Sequence, residues 1–363
     1  MQVEIDKFGT AHTGELVEKY TLDNEQGVTV ELITFGATVL RIKTPDCTGK
    51  RDDITVGFDT LEEYLTKNHH FGSIAGRYAN RIAGANFTLD GTRYHLEANS
   101  GANHIHGGSR ALDKYVWSAH AIQHEQSASV IMQHISPAGD MGYPGTLAIH
   151  VAYTLDSTDS LTIDYAAFTD APTVLNLTNH TYFNISGNMN APAYDHMLTV
   201  HADEFLPVDE SGIPLAHSPI PVEGTAMNLL TPVQLGTFLA RHDEQLENAG
   251  GLDHTYVLSK DNDRILRLAA TLTHPLSGRS INVATTEPGV QVYTANGLDG
   301  TTIFRNGAAV PKHGAIAFEA QHFPNSPNRP DFPSTVLTPG KVYTQKTRYT
   351  FNKVLTSCEI PTT

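Results

Sequence analysis

Apolar residues along this chain alternate with polar ones far more often than they recur at helical spacing. Val28, Val30 and Leu32 alternate with Thr29 and Glu31 before the run meets Gly36, the period-two pattern of a half-buried strand. Phe87 to Leu89 and Thr92 to Leu96 flank Asp90-Gly91, a dipeptide that tolerates the positive φ angles of a tight type I′ hairpin turn. Ile149 to Leu155 and Leu161 to Phe168 flank a polar pentapeptide, and Leu266 to Thr273 and Arg279 to Thr286 flank Pro-Leu-Ser-Gly; both predict hairpins. Helical spacing is confined to two places. Leu61 to Asn68 predicts a short helix, and Gln234 to Asn248, with Pro232 before it and Gly250-Gly251 after it, predicts a longer one. No linker or internal repeat interrupts the series. The pattern predicts an all-β chain: one domain over residues 1–363, a large antiparallel β-sandwich with a few short connecting helices.

Composition narrows the function classes. Apolar residues make up 40% of the 363 and charged residues 17%, a globular balance. The net charge of −15 disfavours nucleic acid and anionic membranes, which reward clustered Lys and Arg. Two cysteines, Cys47 and Cys358, are too few for a disulfide framework or a Cys-rich metal site. No basic leader and no apolar run of membrane-spanning length is present, so a cytoplasmic protein, monomeric or homodimeric, is expected. The 19 histidines are the anomaly.

Four polar clusters interrupt the strand pattern. Gly76-Arg77-Tyr78-Ala79-Asn80-Arg81-Ile82 offers a rigid fork of donors and an amide, groups suited to hydroxyls. Asn103-His104-Ile105-His106-Gly107-Gly108 sets a histidine before two glycines that allow close backbone approach. Its His-x-His could also ligate a metal, but no carboxylate follows before Asp113, and no metal is expected. In Asn176 to Asn184, an extended chain would put Asn176, Thr178, His180 and Tyr182 on one face. In Gly314 to Pro324, alternation puts Glu319 on the face of Ala315 and Ala317, where small side chains leave room for a ligand. A buried Glu otherwise needs a partner, and a histidine among neutral polar groups suits proton transfer near neutrality.

Together these clusters resemble the aldose 1-epimerase (galactose mutarotase) family. The resemblance is an ordered series: Gly-Arg-Tyr-Ala-Asn-Arg-Ile at 76–82, Asn-His-Ile-His-Gly-Gly at 103–108, Asp-Lys-x-x-Trp at 113–117, Gly-Tyr-Pro-Gly at 142–145, Asn-His-Thr-Tyr-Phe-Asn at 179–184, Gly-Leu-Asp-His at 251–254, Pro-Gly-Val-Gln-Val-Tyr-Thr at 288–294 and Phe-Glu-Ala-Gln-His-Phe-Pro at 318–324. It implies a β-supersandwich, no cofactor and a free monosaccharide as substrate. It also implies that Glu319 is the general base and His180 the general acid, and that Asn80, Arg81, His106, Tyr182, Asp253 and Gln291 hold the sugar. Arg77 is left between sugar contact and loop support. Ala111-Leu112 and Ala320 depart from the family's usual Gly-Phe and Pro, which bears on sugar preference rather than on the reaction. A carboxylate beside His180 is expected to raise its pKa. The rival readings are a non-catalytic carbohydrate-binding sandwich, a glycoside hydrolase with Asp253 partnering Glu319, and a relative acting on hexose phosphates.

Overall fold

The computed structural model describes residues 1–67, 70–260 and 264–353. Every hairpin expected from alternation forms. Phe87–Leu89 and Thr92–His95 pair with Leu89 opposite Thr92, and Asp90 and Gly91 take φ of 49° and 76°, as a type I′ turn demands. The expected helix after Pro232 divides into two, Leu235–Leu239 and Glu244–Ala249. Asp243 caps the second through the amide of Gln245, and Gly250 ends it in the left-handed conformation. Thr60 and Glu63 form a capping box on the helix Leu61–Thr66.

Among the described residues, the strands build one nine-stranded sheet, one six-stranded sheet and one five-stranded sheet, all with antiparallel pairings, besides several two-stranded pairs. The nine-stranded sheet is centred on Tyr343–Lys353, flanked by Ser160–Thr169 and Arg279–Thr285. The five-stranded sheet is the N-terminal meander from Gln2–Thr10 to Arg51–Asp53. A bridge from Thr55 to Phe183 connects its end to the six-stranded sheet, so the two smaller sheets form a layer opposite the large one. The core between the layers draws on all three sheets, with Val30 and Leu32 from one, Val151 and Tyr153 from another, and Val292 and Phe318 from the third. Burying such aliphatic and aromatic side chains contributes roughly 1.5–3 kcal/mol each before conformational entropy is charged against it. No helix among the described residues is long and apolar enough to cross a membrane.

The strand that positions the site is Ile316–Gln321, which lies beside Gly289–Tyr293 with Glu319 opposite Gln291. Alternation sorts it as the sequence indicates. Ile316 and Phe318 enter the main core, while Ala315 and Ala317 join a second cluster with Phe71, Tyr182 and Phe304. Glu319 therefore stands on the side of the six-stranded sheet that faces away from the large sheet.

Candidate active site

A cavity of about 240 Å³ opens on that face, lined by His70, Asn80, Arg81, Ile105, His106, His180, Tyr182, Asp253, Tyr293 and Glu319. Drug-sized ligands occupy roughly 300–1,000 Å³, so this one suits a smaller molecule. Four chain segments and one sheet converge on it. The short pair Arg81–Ile82 and His104–Ile105 brings the first two polar clusters together. The amide of Asn80 donates to His106 Nδ1 at 3.2 Å, and the amide of His106 donates to the Asn80 carbonyl at 3.2 Å. With Nδ1 accepting, the neutral His106 ring carries its proton on Nε2. Gly107 follows with φ of 91°, and a Cβ there would sit 2.0 Å from the Gly76 carbonyl oxygen. Only glycine lets the two loops close this tightly.

The Asn176–Asn184 segment is not one strand. Thr178–Asn179 pairs with Ile74–Ala75, Tyr182–Phe183 pairs with Ile316–Gln321, and the chain turns between them at His180. The expected row of four polar side chains is thereby corrected: His180 and Tyr182 line the cavity, while Asn176 and Thr178 do not. Asn176 instead braces the loops, donating to the carbonyls of Ala79 and His322 and accepting the His322 amide. Asn179 does the same for Gly72 and Thr181. Tyr182 stacks on His180, with ring centroids 4.7 Å apart and planes at 16°.

His180 Nε2 stands 3.5 Å from Glu319 Oε1, and both side chains are almost wholly buried. Burial, helped by the positive potential of His70, pushes His180 down to about 3. Burial, helped by the negative charge of Asp253, pushes Glu319 up to about 8, against the opposing influence of Arg81. The expectation that the neighbouring carboxylate would raise His180 is overturned. Removing both groups from water disfavours each charged form, and a carboxyl kept neutral offers the imidazole no negative charge. Between those limits the pair holds one proton, whichever atom carries it.

Asp253 and Arg81 form the far wall, 3.8 Å apart. Gln291 stands behind them rather than in the cavity lining. Its amide donates to Asp253 Oδ1 at 2.6 Å and its carbonyl oxygen accepts from Thr255, so it orients Asp253. Arg77 is turned away altogether. Its guanidinium donates to Ser136 Oγ and to the carbonyls of Ser136, Pro137, Pro144 and Gly145, which clamps two loops from behind. Sequence reasoning did not single out His70 or Tyr293 as lining residues; the only signal for His70 was its place in the His69-His70 pair beside a predicted helix.

Among the described residues, His106, His180 and Glu319 are the group whose ligand atoms lie close enough to share an ion, within 4.8 Å of one another. The donor set does not fit a resident metal. Metal-bound imidazoles donate their far nitrogen to a carboxylate, carbonyl or water. His180 Nδ1 is buried with no partner, and His106 Nδ1 accepts rather than donates. What the pocket offers is an acid–base pair that shares a proton, surrounded by hydroxyl-binding groups.

The profile of the family described as aldose 1-epimerase matches residues 18–350. The chain is 41% identical over 346 residues to the galactose mutarotase of Sus scrofa, covering 95% of this chain and 97% of that one. It is 34% identical to the aldose 1-epimerase of Escherichia coli (strain K12), over 94% of this chain and 97% of that one. Among solved structures, it is similar to the galactose 1-epimerase from Lactobacillus acidophilus NCFM, with a TM-score of 0.85 and 28% identity over 98% of this chain and 99% of that one. The aldose epimerase homologue from C. elegans gives a TM-score of 0.82 at 30% identity, over 92% of this chain and 98% of that one.

Proposed function

Because this chain belongs to the aldose 1-epimerase family, we propose that its 240 Å³ pocket interconverts the α and β anomers of free aldoses by acid–base ring opening. Relatives named galactose mutarotase point to D-galactose, and D-glucose is the second expected substrate. Mutarotation removes the proton from O1 and delivers one to the ring oxygen O5. The C1–O5 bond breaks to leave an aldehyde, the C1–C2 bond rotates, and the ring closes on the other face. Atoms and electrons balance without an oxidant, a reductant or a covalent intermediate.

The observation that carries this reading is the buried His180–Glu319 pair, 3.5 Å apart, with affinities for protons driven in opposite directions. The resting pair is a neutral carboxyl and a neutral imidazole. Transfer of one proton from Oε1 to Nε2 gives carboxylate and imidazolium at the same total proton count. In that form Glu319 takes the proton from O1 while His180 gives one to O5, and the roles reverse on closure. Each such transfer contributes on the order of 10²- to 10⁴-fold. His106 presents Nε2–H to a sugar oxygen, Asn80 and Arg81 grip hydroxyls, Tyr182 supplies an apolar wall, and Asp253, set by Gln291, holds hydroxyls away from C1.

A hexose phosphate fits less well. Arg81 is the guanidinium lining the pocket, and it faces Asp253 and Glu319, so a dianion would meet two carboxyl groups. A cytoplasmic site of action belongs to the same reading and rests on composition.

The experiment is polarimetry of freshly dissolved α-D-galactose and α-D-glucose in dilute buffer, with wild type and Glu319→Gln. Wild type should speed the approach to anomeric equilibrium and the variant should not. Buffer-rate kinetics with wild type on both sugars would overturn the reading.

A further inference from the structure

The pocket contains a third imidazole for which the proton-transfer scheme has no use. His70 lines the cavity, its ring 5.1 Å from that of His106 and 6.3 Å from that of His180, the latter nearly parallel at 17°. Its back is held. Nδ1 lies 3.0 Å from Asp113 Oδ2, and Lys114 Nζ lies 2.8 Å from the same oxygen. Asp113 is buried. Burial alone would raise its pKa, but His70 and Lys114 hold it down to about 2, so it is a carboxylate at any working pH. The Asp-Lys of the 113–117 motif, which has no part in the acid–base scheme, is therefore the support of a pocket histidine.

The local backbone is shaped to keep His70 there. Its φ is 47°, a left-handed conformation that costs a non-glycine residue of order 1 kcal/mol or more. Its carbonyl accepts from both the amide and the hydroxyl of Ser73. Gly72 follows with φ of 72°, where a Cβ would lie 2.0 Å from the Val39 carbonyl oxygen. Held by the carboxylate 3.0 Å from Nδ1, the imidazole borders the cavity. Orienting an imidazole through its far nitrogen is how a carboxylate prepares the near one for contact.

We infer that His70, oriented by Asp113 and Lys114, is a substrate-binding residue that hydrogen-bonds a sugar hydroxyl flanking the reacting C1–O5 edge, the one on C2 or C6. This rests on the aldose 1-epimerase reading above. The flanking position follows from His70 lying beside His180 and His106, with Asp253 and Arg81 as the opposite wall. The side chain is only 18% exposed, so its contact with a sugar would be shielded from bulk water.

The test is a cycle between enzyme and substrate. kcat/KM is measured by polarimetry for wild type and His70→Phe, which keeps the ring and removes the nitrogens. The sugars are D-galactose and its 2-, 3-, 4- and 6-deoxy analogues. Losing one shielded hydrogen bond should lower kcat/KM of the variant on galactose by about 5- to 30-fold. That penalty should vanish for either the 2-deoxy or the 6-deoxy sugar and persist for the other three analogues. Asp113→Asn should show a smaller penalty that vanishes on the same analogue. Equal penalties on all five sugars would assign His70 a merely structural part, and no penalty on any would leave it outside the contact; either overturns the proposal. If His70→Phe folds poorly by circular dichroism, His70→Gln carries the same cycle. Wild type inactive on galactose would sink the underlying reading instead, a result visible before any variant is compared.

Discussion

Glu319→Gln separates what the site does from what it costs the fold. The carboxyl is buried beside Asp253 and titrates at about 8 rather than 4.5. In the unfolded chain the same group loses its proton near 4.5. Between those values the folded state keeps a proton that the unfolded state has released. Stability therefore falls as pH rises through the window and levels off above it. A gap of about 3.5 units, at about 1.36 kcal/mol per unit, bounds the loss at roughly 5 kcal/mol. Relaxation of a real protein interior reduces this, and about 1–3 kcal/mol is expected. Glutamine does not titrate and escapes the loss. The assay is urea unfolding of both proteins at pH 5 and pH 8.5, with polarimetry alongside. Activity should fall by at least about 10²-fold. The stability of the variant relative to wild type should become more favourable at pH 8.5 than at pH 5 by about 1–3 kcal/mol. A difference independent of pH would mean that Glu319 is ionised in the empty site throughout, and the shared-proton account would fail. An active site held at the expense of stability is the usual direction of this trade-off.

Other predictions follow from the same geometry. The pair carries one proton only up to about pH 8, so kcat/KM should hold through neutrality and decline above about pH 8; a rise there would make free carboxylate, rather than the shared proton, the active form. Asp253→Asn removes the charge that helps raise Glu319, so the alkaline limb should move to lower pH while KM for galactose increases, both read from one set of pH profiles. Arg77→Met breaks five hydrogen bonds that clamp the loops at Ser136 and Pro144 and strands buried acceptors. Thermal unfolding should show a loss of about 2–4 kcal/mol, with KM of the folded fraction near wild type; a KM defect without a stability loss would return Arg77 to the pocket. Gly107→Ala drives a methyl into the Gly76 carbonyl and should separate His106 from Asn80, lowering stability and kcat/KM together.

The sequence alone determined the strand layout, because side-chain alternation is local and survives any tertiary arrangement. The type I′ turn at Asp90-Gly91, the helix stop at Gly250, and the burial of Ile316 and Phe318 opposite Glu319 were all legible one segment at a time. So was the set of polar clusters, since histidine, arginine and glutamate amid apolar runs are costly without a purpose. Tertiary structure decided which members of those clusters share a space. Asn176 and His180 looked alike along an extended chain, but the turn at His180 sends one into a brace and the other into the pocket. Gln291 and Asp253 occupy neighbouring strands, and only their pairing shows that one orients the other. Arg77 and Arg81 sit four residues apart and point to different tasks. The protonation state was likewise beyond the sequence, because it depends on how completely His180 and Glu319 leave water and on Asp253 lying near. His70 was invisible for the same reason: Asp113 lies 43 positions away, and its carboxylate reaches the ring only when the loops have closed.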